Sequence, residues 1–186
     1  RTGDDTPDPL AEIDTAEMFG AGSKNVVDAL FGVTKIINRR TVGVINFSYS
    51  KSLGYHTDPY KIISVADEND NELTKIYEHR PDERTRYIVY SKLLHELVGK
   101  DHRLDFRMRN YFDDWGVTSV TMDFGYAVKM KNGRTIEPFI RLYGQTAADF
   151  YMRTIAYDGT GTFDELTLPE FASSDMRLAE ATTITV

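Results

Sequence analysis

The sequence predicts an all-β fold, an antiparallel up-and-down transmembrane β-barrel of which about seven strands are present as part of a larger barrel. Three observations carry this. Apolar and polar residues alternate with a period of two over long runs, the mark of strands with one apolar and one polar face. No stretch has convincing amphipathic-helix spacing; residues 88–98 come nearest, and the β pattern that flanks them outweighs it. The connections sort by length, tight at one end of the strands and long at the other, a habit of membrane barrels that a soluble sandwich has no reason to share.

Residues 1–24 are polar, acidic and rich in Asp, Gly and Pro, and read as loop. Residues 25–186 hold seven candidate strands, at 25–37, 41–52, 84–97, 102–113, 117–130, 134–145 and 177–186. In the fourth, Leu104, Phe106, Met108, Asn110 and Phe112 share one face, and Arg103, Asp105, Arg107, Arg109 and Tyr111 the other. The fifth sets Val120, Met122, Phe124, Tyr126, Val128 and Met130 against Ser119, Thr121, Asp123, Gly125, Ala127 and Lys129. The sixth sets Ile136, Pro138, Ile140 and Leu142 against Glu137, Phe139, Arg141, Tyr143 and Gln145. Tight joints fall near Asn38–Arg40, Gly99–Lys100 and Lys131–Gly133. At the other end lie two long loops, about 53–83 and 146–176, and the short joint Asp114–Gly116.

Register follows from keeping like faces together, because a one-residue slip turns every side chain over. A two-residue Asn132-Gly133 turn would oppose apolar to polar faces. A three-residue Lys131-Asn132-Gly133 loop, with Gly133 left-handed, restores the match and places Met130 opposite Arg134, Phe124 opposite Ile140 and Asp123 opposite Arg141. A two-residue Gly99-Lys100 turn places Leu93 opposite Phe106, Glu96 opposite Arg103, Tyr90 opposite Arg109, Lys92 opposite Arg107 and Arg86 opposite Asp113. Opposite charges facing across a pair support it.

The 186-residue chain has a net charge of −7, which argues against a general nucleic-acid binder, and no nucleic-acid partner is expected. The charge is uneven. Residues 1–24 carry two basic against six acidic side chains, residues 53–83 three against eight, and residues 146–176 one against six, so the strands and tight turns hold a net +7. Acidic loops surround a basic strand face. If that face lines a lumen, Arg86, Lys92, Arg107, Arg109, Arg141 and Tyr143 are the candidate binding residues, with Arg107 foremost because it faces a lysine. A salt-bridged, packed interior is the plainer alternative.

Cysteine is absent, which removes disulfide scaffolds, thiolate zinc sites and cysteine nucleophiles. His56, His79, His95 and His102 lack metal-ligand spacing. Asp67, Glu68, Asp70 and Glu72 do not match a calcium loop and read as solvated. Gly159-Thr160-Gly161 is a flexible loop. No nucleophile triad or cofactor motif stands out, so neither enzymatic activity nor a metal or other cofactor is expected.

Several peptides are more specific than barrel patterning. They are Gly54-Tyr55 with Asp58-Pro59-Tyr60-Lys61, then Arg80-Pro81-Asp82 with Arg84 and Arg86, Asp113-Asp114-Trp115-Gly116, and Gln145-Thr146-Ala147-Ala148-Asp149-Phe150-Tyr151. In order and spacing they resemble the DUF3570 family of bacterial outer-membrane proteins, over about residues 25–180 and in the C-terminal half of the longer family members. Thr146 stands where Ser or Asp is common. The resemblance implies an outer-membrane barrel and no catalytic residues. The opening at Arg1, without initiator Met or signal peptide, and the end within Thr182–Val186 read as parts of a longer protein that supplies further strands.

The motifs all lie at the long-loop end. Arg80 and Arg84 are candidates to anchor Asp113, Asp114 or Asp149 in a network at the mouth, and Trp115 suits a membrane interface. Phe47, Val89, Leu93, Phe106, Met108, Phe124, Tyr126, Ile140 and Leu142 are the candidate lipid-facing residues. The expected partners are the lipid bilayer, lipopolysaccharide and other envelope protein chains. The first functional expectation is porin-like passage or binding of small, anionic solutes. The second is a plugged scaffold barrel in an envelope complex, one version being an electron-transfer conduit around a partner cytochrome. The third is a soluble carbohydrate-binding β-sandwich displaying Tyr55, Tyr60 and Trp115.

Overall fold

The computed structural model describes residues 23–58, 60–67, 69–98, 101–130, 132–157 and 169–186. Most of the N-terminal acidic segment, the Gly99-Lys100 turn, Lys131, Pro59, Glu68 and Gly159-Thr160-Gly161 lie outside these residues. The fold is all-β, with strands β1 (Lys24–Asn38), β2 (Thr41–Gly54), β3 (Ile62–Ala66), β4 (Glu72–Tyr77), β5 (Glu83–Glu96), β6 (His102–Asp113), β7 (Thr118–Lys129), β8 (Thr135–Ile136), β9 (Phe139–Gln145), β10 (Thr154–Ala156) and β11 (Ala181–Thr185). A single turn of 3₁₀ helix, Met176–Leu178, precedes β11.

The chain forms two compact units. Val26–Ser52, Arg84–Asp149 and Ala179–Val186 make one. It is an antiparallel sheet in the order β1-β2-β5-β6-β7-β9-β11, with β8 paired to β7. All seven strands read from the sequence are in it. The register is the one the face-matching argument requires: Arg86 opposes Asp113, Tyr90 opposes Arg109, Lys92 opposes Arg107, Leu93 opposes Phe106 and Glu96 opposes Arg103. Phe124 opposes Ile140 and Asp123 opposes Arg141. Gly133 has φ +80°, and the Met130 amide donates to the Arg134 carbonyl, so Met130 faces Arg134.

Two boundaries differ from expectation. The sixth strand is interrupted at Glu137-Pro138, because proline has no N–H to give the ladder. Register survives the gap: Val128 opposes Ile136 on one side and Gly125 opposes Phe139 on the other. The Pro138 carbonyl still accepts from the Tyr126 amide across it. The last strand begins at Ala181 rather than 177, since the 3₁₀ turn occupies Met176–Leu178.

The second unit corrects the reading of the two long connections as plain loops. The described residues of Leu53–Glu83 and Phe150–Leu178 fold together. A three-stranded sheet in the order β10-β3-β4 pairs β10 parallel to β3 and β4 antiparallel to it. Its core is Ile63, Val65, Ile155 and Ala172, with Ile76, Met152 and Tyr157 packed around them. The Asp67 carboxylate accepts from the amides of Asn69 and Asn71 and from the Asn71 side chain, and so caps the hairpin between β3 and β4. That hydrogen bonding by Asn71 also draws the Asp67 pKa below the usual carboxylate range. Glu72 accepts from Ser64 and pairs with Lys75. These two acids thus serve the hairpin.

Candidate functional site

Alternation along the long strands gives the large sheet two unlike faces. On one face Ile45 is 62 %, Phe124 47 %, Ile140 47 % and Ile184 70 % exposed. Phe47 lies beside Tyr87, and Tyr87 beside Tyr49 and Phe112, at ring-centroid distances of 6.5, 5.5 and 5.9 Å. Further along the same face Phe106 meets Phe124 at 5.0 Å. Strands β5, β6 and β7 are 14, 12 and 12 residues long. A tilted membrane-crossing strand needs about 9–11.

The other face is read most easily as rows across the ladder. Toward the tight turns, Lys92, Arg107, Asp123 and Arg141 form one row, and Asp105 sits two residues before Arg107. Every one of these charges is paired. Asp105 accepts from Arg107 Nε and Nη2 at 3.0 and 2.5 Å, and lies 3.6 Å from Lys92 Nζ. Asp123 accepts from Arg141 at 2.7 and 2.9 Å. Arg103 meets Glu137 at 3.4 Å. Arg107 is therefore not the free cation expected from its lysine neighbour. It binds an acid two positions away on its own strand, where side chains share a face.

The next row toward the long loops is Tyr90, Arg109, Thr121 and Tyr143, and beyond it Tyr111, Ser119 and Gln145. Arg109 is exposed and has no carboxylate partner among the described residues. Arg86 reaches Ser50 Oγ at 2.8 Å and likewise meets no carboxylate among them. Asp113, which opposes Arg86 in the ladder, is already claimed. Beyond the charges just paired, and away from the tight turns, Arg109 and Arg86 are the cations of β5, β6, β7 and β9 on this face that meet no carboxylate among the described residues. Other basic residues, Arg39, Arg40, Lys129 and Arg134, sit at or next to the tight turns, so much of the strands' positive excess is there and not on the open face.

At the long-loop end, five of the six expected network residues come together. Arg84 Nε and Nη2 donate to Asp113 Oδ2 at 2.9 and 2.6 Å, and Nη2 also donates to the Tyr111 hydroxyl at 3.0 Å. Tyr111 donates to the same carboxylate at 2.5 Å. The other oxygen, Oδ1, accepts from the amides of Trp115 and Val117 at 3.1 and 2.9 Å. Asp113 is thus a buried carboxylate with both oxygens satisfied, the condition under which burial is tolerated. Asp114 accepts from the Thr85 amide, and the Asp149 amide donates to the Trp115 carbonyl. Thr146 Oγ1 accepts from the Thr118 amide at 2.9 Å and lies 3.0 Å from the Gly116 carbonyl. A hydroxyl serves both roles here.

Two placements differ from expectation. Trp115 is 3 % exposed. It packs under Arg84 in the joint and does not present a ring to a membrane interface. Arg80 belongs to the other unit, where Nε lies 2.7 Å from Glu78 and Nη2 2.9 Å from Asp175. Glu78 and Asp175 are buried, as is Ser173, which donates to Glu78. Arg177 completes the cluster on Asp175, and its hydrogen bond, with those of the Arg177 amide and Arg80, holds the Asp175 carboxyl well below the usual range against the opposing effect of burial. Sequence reasoning missed this cluster because Asp175 and Ser173 are far from Glu78 and Arg80 in the chain, and no alternation marks their segment.

Comparison with known proteins is consistent with the motif reading. A family model described as "Protein of unknown function (DUF3570)" matches residues 7–186. No curated protein and no solved structure matches the chain.

Proposed function

The chain belongs to the DUF3570 family, and from that premise we propose that its large sheet is part of an outer-membrane β-barrel that passes or binds small anionic solutes. The carrying observation is the exposed apolar face on strands long enough to cross a bilayer, backed by a polar face. A sheet in water must cover such a face with another layer, and no such layer lies among the described residues of this unit. In a bilayer the acyl chains cover it, and the charged face turns inward. The anion preference rests on Arg109 and Arg86, the cations left after the charged rows neutralise one another. Lipid and lipopolysaccharide are the partners this reading requires.

The test is a planar-bilayer recording of the intact protein under a salt gradient. Anion preference that falls after Arg109→Glu supports the reading. Cation preference, or selectivity unmoved by that change, speaks against the anion assignment.

The folded loop unit favours a second reading, a scaffold barrel that holds another envelope chain, a cytochrome with its own haem being one version. Loops with a buried core of their own make a rigid docking surface. Stoichiometric co-purification of a partner together with no conductance supports it over passage.

A further inference from the structure

We propose that the two rows Tyr111–Ser119–Gln145 and Arg109–Thr121–Tyr143 form a binding site for a small polyol that carries one oxyanion, the class of sugar phosphates and sugar acids. The inference rests on the reading above only in taking this face as the solute-facing one. The six residues, with Val117, line an open pocket of about 210 Å³. Cross-strand pairing fixes their arrangement, since Tyr111 opposes Ser119, Arg109 opposes Thr121, Ser119 opposes Gln145 and Thr121 opposes Tyr143.

The pocket combines one available cation with a rigid, neutral wall. The acids nearest along the face, Asp113 and Asp123, are held by Arg84 and Arg141. Arg109 keeps its planar fork for a ligand, and a guanidinium takes a phosphate or carboxylate in two parallel hydrogen bonds. The Ser119 and Thr121 hydroxyls also have no protein partner among the described residues, and each offers a donor and an acceptor to a ligand hydroxyl. The walls are braced from behind. Tyr111 is held by Arg84 and Asp113, Tyr143 donates to Gln145, and Gln145 Nε2 donates to the Ala179 carbonyl at 2.5 Å. Such bracing keeps the ring faces in place for the C–H surface of a sugar and lowers the ordering cost of binding. An inorganic anion would use Arg109 alone, and a neutral sugar would leave Arg109 without a counter-charge.

The test is calorimetric titration of the intact, detergent-solubilised protein with glucose 6-phosphate, inorganic phosphate and glucose. Glucose 6-phosphate is expected to bind, phosphate at least tenfold more weakly, and glucose not at all over the same range. Arg109→Gln is expected to weaken glucose 6-phosphate at least tenfold, with Arg109→Lys retaining part of the affinity. No binding by the unmodified protein, or equal binding by Arg109→Gln, overturns the site. If Arg109→Gln loses its folded band on an unboiled gel, Thr121→Val decides: a threefold or greater loss supports the site and no change overturns it. Conductance without sugar-phosphate binding would sink this site and leave the passage reading standing. Binding by a protein that conducts nothing would keep the site and sink passage.

Discussion

The guanidinium carbon of Arg84 lies 4.1 Å from the centre of the Trp115 ring. From that position it also holds Asp113, whose side chain is fully buried. One side chain thereby joins the start of β5, the end of β6 and the joint that leads to β7. Replacing Arg84 by Gln strands a buried carboxylate, and breaking such a pair costs about 3–5 kcal/mol. The unfolding midpoint in urea should fall accordingly, and Arg84→Gln with Asp113→Asn should recover part of the loss.

Gly116 has φ +81°, and a Cβ there would sit 2.1 Å from Asp149 Oδ1. Gly116→Ala is therefore expected to destabilise through both backbone and clash. In the double variant with Asp149→Ala only the backbone part should remain, about 1 kcal/mol. Denaturant unfolding of the single and double variants checks this as a mutant cycle.

The loop unit should respond to acid through Asp175. Its carboxyl is held below the usual range, so its contribution is fully present above about pH 4, the unfolded value, and is lost as pH falls through the folded value. Protection factors for amides of residues 172–178 should stay level from about pH 7 to 5 and drop toward pH 2. Asp175→Asn should remove that dependence and lower protection at neutral pH.

The apolar face can be tested one side chain at a time. Phe124 is exposed and pairs with Phe106 in the middle of that face. Phe124→Arg should cost about 2–4 kcal/mol if the position lies at mid-membrane, measured by unfolding from lipid vesicles. Phe124→Leu should cost far less.

Much of the large sheet was legible in the sequence, because alternation fixes which residues share a face and shared faces fix register. The Asp123–Arg141 and Arg86–Asp113 pairings followed from that rule alone. The loop unit was not legible. β3 is Ile62–Ala66, short and without alternation, and its parallel partner β10 lies far along the chain at Thr154–Ala156. Pairing at that separation leaves no local signal. The polar face was legible in composition but not in charge balance. Looking only across the ladder gave Arg107 a lysine, while its acid, Asp105, stood two residues away on the same strand. Arg109, with Tyr90 and Thr121 on its two sides, is left with Arg86 as a cation that meets no carboxylate among the described residues.

The central claim is that this sheet closes, with its further strands, into a membrane barrel. Outer-membrane fractions of the intact protein should be run on SDS gels with and without boiling. The account expects a band whose mobility changes on heating, as a closed barrel resists the detergent until unfolded. A band that does not shift, from protein recovered in the soluble fraction, would contradict the barrel and leave a soluble β-sandwich as the reading.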